Sequence, residues 1–170
     1  MLSGTVGLRI VRLTGADAGE VLTVQRAAYV TEAQRYDAPG IPPLRETLVE
    51  LRADLERPNL IALGVRIGPR LVGSVRGRVD GAAMEVARLT VAPDVQGRGV
   101  GRALLAALHS AAPPSVTTSW LVTGALSDDN RRFYTAAGYR VTGRARDAAG
   151  VELVRMERGS TTPRSVGARS

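Results

Sequence analysis

No cysteine occurs among the 170 residues, which excludes disulfides, a cysteine nucleophile, an acyl-cysteine intermediate and thiolate metal sites. Lysine is missing too. All 23 basic residues are arginine, so the chain offers neither a lysine Schiff base nor the lysine of a Walker phosphate loop. A single histidine, His109, excludes a histidine-rich metal site, and no metal is expected. One Trp and one Phe leave the core to Val, Leu, Ile and Ala. No run approaches the roughly 18 apolar residues needed to cross a membrane. The start, Met1-Leu2-Ser3-Gly4-Thr5, has no charged segment leading into an apolar stretch. These absences predict a cytoplasmic protein with no membrane partner.

What is abundant is arginine and apolar aliphatic residues, 44% of the chain being hydrophobic. This composition suits one domain over residues 1–158, burying about 70% of its unfolded surface. Residues 159–170 are short of apolar side chains and are expected to form a disordered tail. The net charge of +7 could attract nucleic acid, but the arginines are dispersed with few interleaved aromatics. No nucleic-acid partner is expected.

Periodicity orders the chain. Leu8 to Leu13 alternates like a half-buried strand, and Thr14 or Asp17 can cap a helix running to about Val30. Residues 31–43, rich in Pro and Gly, read as a loop. A second helix is expected from Leu44 to Glu56, with Leu44, Leu48, Leu51 and Leu55 at helical spacing. Strands follow at Leu60–Ile67 and Leu71–Val79, then a third beyond the Asp80-Gly81 turn. A helix from Val100 to Ala111 stops before Pro113-Pro114. Val116–Thr123 is a strand, Asp128–Ala137 a helix, and Tyr139–Arg146 pairs with Val151–Arg158.

The third strand breaks into Gln96-Gly97-Arg98-Gly99-Val100-Gly101-Arg102. Glycines there let backbone amides approach an anion, and the following helix adds its positive end. A Rossmann loop would need G-x-G-x-x-G with an acidic residue about 20 positions on. Here the spacing is G-x-G-x-G, and Ser119 and Trp120 stand at that distance. The run matches Gln/Arg-x-x-Gly-x-Gly/Ala, the pyrophosphate loop of the GNAT N-acetyltransferase superfamily. Three further stretches resemble that family in the expected order: Met84 to Val91 as its fourth strand, Asn130-Arg131-Arg132-Phe133-Tyr134 through Gly138-Tyr139, and Val151 to Met156 as its last strand.

The resemblance implies an α/β fold with a mixed, mostly antiparallel twisted sheet. About four helices would flank it, and the fourth and fifth strands would splay apart. It implies acetyl-CoA as cosubstrate and a small-molecule or peptide amine as acceptor. A homodimer is a further expectation. Gln96, Gly97, Arg98, Gly99, Val100, Gly101 and Arg102 would hold the pyrophosphate, and Asn130 would add a contact. Leu89 and Val91 are named for backbone groups that pair with pantetheine.

Acetyl transfer needs a deprotonated amine and a proton for the departing thiolate. Glu85, eleven residues before Gln96, is the base candidate, or else a solvent-facing strand residue. Its apolar neighbours Met84, Val86 and Leu89 would raise its pKa, and Arg88 would lower it. Tyr134 is the acid candidate, or else a core ring. His109 reads as a polar surface residue near a helix end. Tyr29 and Tyr36 flank the region that the resemblance makes part of the acceptor wall, where Tyr36, Asp37, Glu32 and Glu46 read as solvated more than as amine ligands. The competing functions are a non-catalytic acyl-CoA binder and a nucleic-acid binder.

Overall fold

The computed structural model describes residues 7–159, and residues 1–6 and 160–170 lie outside it. Strand β1 (Leu8–Arg12) leads through a 3-10 turn into helix α1 (Ala18–Arg35). Short helix α2 (Pro42–Arg45) and helix α3 (Leu48–Leu55) follow, then strands β2 (Leu60–Ile67), β3 (Arg70–Asp80) and β4 (Ala83–Val91). The second half comprises helix α4 (Val100–Ala111), strand β5 (Thr118–Gly124), helix α5 (Asp128–Ala136) and the hairpin β6 (Arg140–Arg146) and β7 (Glu152–Gly159). Strand β7 thus runs one residue beyond the expected domain end. The remainder of the expected tail lies outside the described residues.

The strands form one sheet in the order β1-β2-β3-β4-β5-β7-β6, antiparallel throughout except for the β4–β5 pair. The expected mixed sheet and its splay are both present. Alternation along β3 sends Val75 to one face and Arg76 to the other. On the first face, Val100, Leu104 and Leu108 of α4 are buried against the sheet. Gly73 and Gly77 permit this close approach. A Cβ at Gly73 would stand 3.0 Å from Val100 Cγ1, and one at Gly77 2.8 Å from Leu108 Cδ1. Helices α1 and α3 cover the second face through Val21, Leu51 and Leu55.

Two expectations are corrected. Helix α1 continues to Arg35, five residues beyond Val30, because nothing in Thr31-Glu32-Ala33-Gln34-Arg35 breaks a helix. Asp37, at φ 46°, then turns the chain. The second helix does not run unbroken from Leu44 to Glu56. It divides at Glu46, whose backbone is extended (ψ 126°), and restarts at Thr47. Thr47 and Glu50 form a capping box, Glu50 N–H donating to Thr47 Oγ1 at 3.2 Å and Thr47 N–H to Glu50 Oε2 at 2.8 Å. A box of this kind is worth about 1 kcal/mol.

The break turns Glu46 inward onto Arg76, whose side chain is only 5% exposed. The Arg76 guanidinium donates to both Glu46 oxygens (2.9 and 2.7 Å), to Asp54 (2.7 Å) and to Gln25 Oε1 (2.8 Å). Gln25 Nε2 in turn donates to Glu46 at 2.7 Å. Burial is the largest single influence and opposes ionisation of both carboxylates, but the hydrogen bonds and charge of Arg76, joined by Gln25 and Arg88 at Glu46 and by Arg78 at Asp54, together outweigh it and hold them below their usual range. One cation thereby ties α1, the α2–α3 break and β3 together. Arg76→Ala leaves two buried carboxylates without their main partner, and a loss of about 3–5 kcal/mol in urea unfolding is expected.

His109 is half-buried, not the surface residue its helix-end position suggests. Arg158 donates to its Nδ1, so Nε2 carries the proton and donates to the Tyr139 hydroxyl at 2.7 Å. Burial, then Arg158, lowers the imidazole pKa from 6.5 to about 4. The unfolded chain therefore binds the proton more readily. Stability from this site is complete above pH 6.5 and lost as pH falls toward 4. His109→Gln should flatten that part of a pH–stability profile, removing on the order of 1 kcal/mol of acid sensitivity after solvent screening.

Candidate active site

Strands β4 and β5 pair only at Ala83↔Thr118, Met84↔Ser119 and Glu85↔Trp120, although β4 continues to Val91 and β5 to Gly124. Beyond Glu85 they diverge. The physical cause lies in β4, where Arg88 and Leu89 together face Val75 of β3. This bulge puts Arg88 at φ 54° and bends the strand away from β5. A cleft of about 580 Å3 fills the gap. Its walls are Val86–Val91 of β4, Val122–Gly124 of β5, and Asn130, Phe133 and Tyr134 of α5. The C-terminal half of α1, with Tyr29 and Glu32, and the C-cap residue Tyr36 close the far end.

The loop residues sit at the other end. Gly97 and Gly99 have φ 76° and 81°, a conformation costly for side chains, and open space surrounds the Cβ positions of both. Gly99 is the N-cap of α4 and no side chain caps that helix. Ala103 N–H makes the first intrahelical bond, to Gly99 O at 3.0 Å. The amides of Val100, Gly101 and Arg102 are left without helical partners. Gly101 lines the cleft, where an added Cβ would touch Phe133 at 3.6 Å and Val91 at 3.7 Å. Gly97, Arg98, Gly99 and Arg102 are exposed on the rim. Uncapped amides, two left-handed glycines and two exposed arginines suit a pyrophosphate.

The remaining candidates separate by contact. Gln96 turns back on its own strand, Nε2 donating to Val91 O at 3.2 Å. That carbonyl therefore has a partner within the chain, and both Leu89, at the bulge, and Val91 lie on the cleft wall. Asn130 lines the cleft one helical turn before Tyr134, with Nδ2 3.5 Å from Thr123 Oγ1. Tyr134 packs edge-on against Phe133 (5.1 Å between ring centroids) and Tyr139 (5.9 Å). Its hydroxyl donates to none of the described residues. Burial, followed by the Tyr29 and Tyr139 hydroxyls, pushes its pKa well above the ordinary phenol value. Tyr134 keeps its proton throughout the physiological range.

Glu85 stands where β4 and β5 part, beside Trp120 and across from Arg78. Its surroundings are not the apolar neighbours in sequence. Met84 and Val86 point into the core, while Glu85 Oε2 meets Arg78 Nη1 at 3.4 Å. Arg88 instead approaches Glu46, Nε to Oε2 at 3.8 Å.

The α1 residues are not solvated loop residues. Tyr36 accepts the Leu126 N–H at 2.8 Å and shares a 3.0 Å hydrogen bond with Ser127, which donates to Glu32 at 2.7 Å. These contacts lock α1 onto the β5–α5 connection. No sequence pattern singles out Arg76, whereas Tyr29, expected beside the acceptor wall, lines the cleft with its phenol pKa raised by burial. Helical spacing from Tyr29 through Glu32 to Tyr36 was the available signal.

The described residues thus define an α/β protein whose sheet is split between β4 and β5 beside an uncapped helix start. A family model described as "Acetyltransferase (GNAT) domain" matches residues 45–159. The chain belongs to the GNAT acetyltransferase family. Similar solved structures include the PaiA N-acetyltransferase of Thermoplasma acidophilum in complex with coenzyme A, 17% identical, covering 91% of this chain and 99% of that one, TM-score 0.76. The ribosomal-protein-S18-alanine N-acetyltransferase of Escherichia coli is 16% identical over 95% of this chain and 100% of its own, TM-score 0.76. NAA60 of Arabidopsis thaliana with acetyl-CoA is 12% identical over 92% and 100%, TM-score 0.74. The UPF0157 protein YqkA of Bacillus subtilis (strain 168) is 31% identical over 140 residues, 80% of this chain. The chain spans 38% of that relative's length. Among the described residues no helix is long and apolar enough to cross a membrane.

Proposed function

We propose that this chain transfers an acetyl group from acetyl-CoA to a primary amine by direct attack within a ternary complex. The observation that carries this reading is the gap between β4 and β5, which runs from the uncapped start of α4 to Tyr134 and Glu85. Bound acetyl-CoA would supply an activated acyl thioester. The amides of Gly97 to Arg102 and the Arg98 and Arg102 side chains hold its pyrophosphate, Asn130 contacts it from α5, and the Leu89 backbone pairs with its pantetheine arm.

Glu85 receives a proton from the acceptor amine, directly or through water, freeing the nitrogen lone pair. As the new C–N bond forms and the C–S bond breaks, Tyr134 gives its proton to the departing sulfur. The raised pKa keeps that proton in place until the thiolate develops, at the cost of a weaker acid, and solvent returns a proton to the phenolate after transfer. The acceptor enters from the end lined by Tyr29 and Arg88.

The experiment is free-thiol release from acetyl-CoA over a panel of amines, with mass spectrometry of the products. Amine-dependent release with an acetylated product supports transfer. Saturable acetyl-CoA binding without release from any amine would replace it with the non-catalytic acyl-CoA-binding reading.

A further inference from the structure

The cleft is lined by four carboxylates, and each already has partners. Glu32 is paired with Arg35 at 2.9 Å and accepts from Ser127 at 2.7 Å. Glu85 meets Arg78. Asp129 is paired with Arg132, and Asp147 accepts the Ala149 and Val151 amides at 2.9 and 3.0 Å. The donors are different. Arg88 donates no hydrogen bond to the described residues, its Nε is buried without a partner, and its contact with Glu46 is 3.8 Å to a carboxylate that Arg76 already grips. Tyr29, on the facing wall, likewise donates to none of them. Both side chains line the same cleft.

The left-handed backbone of Arg88 ties this placement to the bulge that opens the cleft. A half-buried guanidinium with unused donors recognises a planar anion, and a phenol on the facing wall of the same cleft can add a further donor. A purely cationic acceptor such as a polyamine would meet Arg88 as a like charge. Its second ammonium would find no unpaired carboxylate beyond Glu85, which takes the proton of the reacting amine.

We infer that the acceptor is an amine that also carries a carboxylate, of amino-acid size, with the carboxylate held by Arg88 and the Tyr29 hydroxyl. This inference rests on the acetyltransferase reading and specifies its substrate class. Arg88 then sets specificity while Glu85 and Tyr134 handle the protons.

The test compares thiol release with amino acids, their amides and the corresponding decarboxylated amines. Carboxylate-bearing acceptors should show kcat/KM roughly 100-fold higher than their matched amides, the scale of one charge-assisted bidentate pair. Arg88→Gln should erase that preference by raising KM, with acetyl-CoA affinity and kcat largely retained. Arg88→Lys should restore it only partly. Calorimetry adds a readout independent of turnover: with CoA present, an N-acetyl amino acid should bind the wild type and not Arg88→Gln. Equal use of amides and acids, or an unchanged preference in Arg88→Gln, would overturn the inference while leaving acetyl transfer in place. Absence of release with every amine, together with absence of acetyl-CoA binding, would remove the parent reading and this one with it.

Discussion

Gly99→Asp is expected to weaken acetyl-CoA binding by roughly 100-fold or more. Two effects combine. Gly99 has φ 81°, and a side chain there costs about 1 kcal/mol. A carboxylate about 5 Å from a phosphate adds repulsion of about 3 kcal/mol per charge pair at an effective dielectric of about 20. Gly99→Asn separates the two, since Asn accepts the left-handed region and bears no charge. It should retain most of the affinity that Gly99→Asp loses. The surroundings predict a clean result, because the position is exposed and an added Cβ meets no neighbour within 4 Å. Circular dichroism of both variants should match the wild type and their melting temperatures should fall equally, by a few degrees, so the difference in affinity between them is read as charge at the loop. Equal affinity in Gly99→Asp and wild type would show that the loop holds no pyrophosphate.

Tyr134→Phe should lower kcat by roughly 100-fold while changing acetyl-CoA affinity by less than about threefold. The ring's packing against Phe133 and Tyr139 survives the substitution, and only the hydroxyl is lost. Because the phenol pKa is raised, the wild-type rate should not fall between pH 8 and 10 through ionisation of this residue. A proportionate fall in affinity and kcat would make Tyr134 a positioning group for the cosubstrate and not a proton donor.

The order of elements, the loop and the α5 residues were legible because each rests on local signals. Glycine spacing, a helical apolar stripe and strand alternation depend on nearest neighbours in the chain. The splay after Glu85 was expected only through resemblance, because the bulge arises from register between β3 and β4, which no single segment encodes. The break at Glu46 shows the opposite case. Thr47 and Glu50 spell a capping box in the sequence, but the evenly spaced leucines outweighed it, and the buried Arg76 that draws Glu46 inward lies 30 residues away. Glu85 was misjudged in its surroundings for the same reason. Its neighbours along the strand point to the opposite face, and its true neighbour, Arg78, comes from β3. Gln96 matched the loop pattern, yet its side chain serves the strand end it follows.

Calorimetric titration of the purified protein with acetyl-CoA, beside CoA and NAD at two salt concentrations, tests the central claim most directly. Saturable binding of acetyl-CoA, unmatched by NAD and strongly reduced in Gly99→Asp, is the predicted result. Absence of saturable acetyl-CoA binding at both salt concentrations would contradict the assignment of the β4–β5 cleft as an acyl-CoA site.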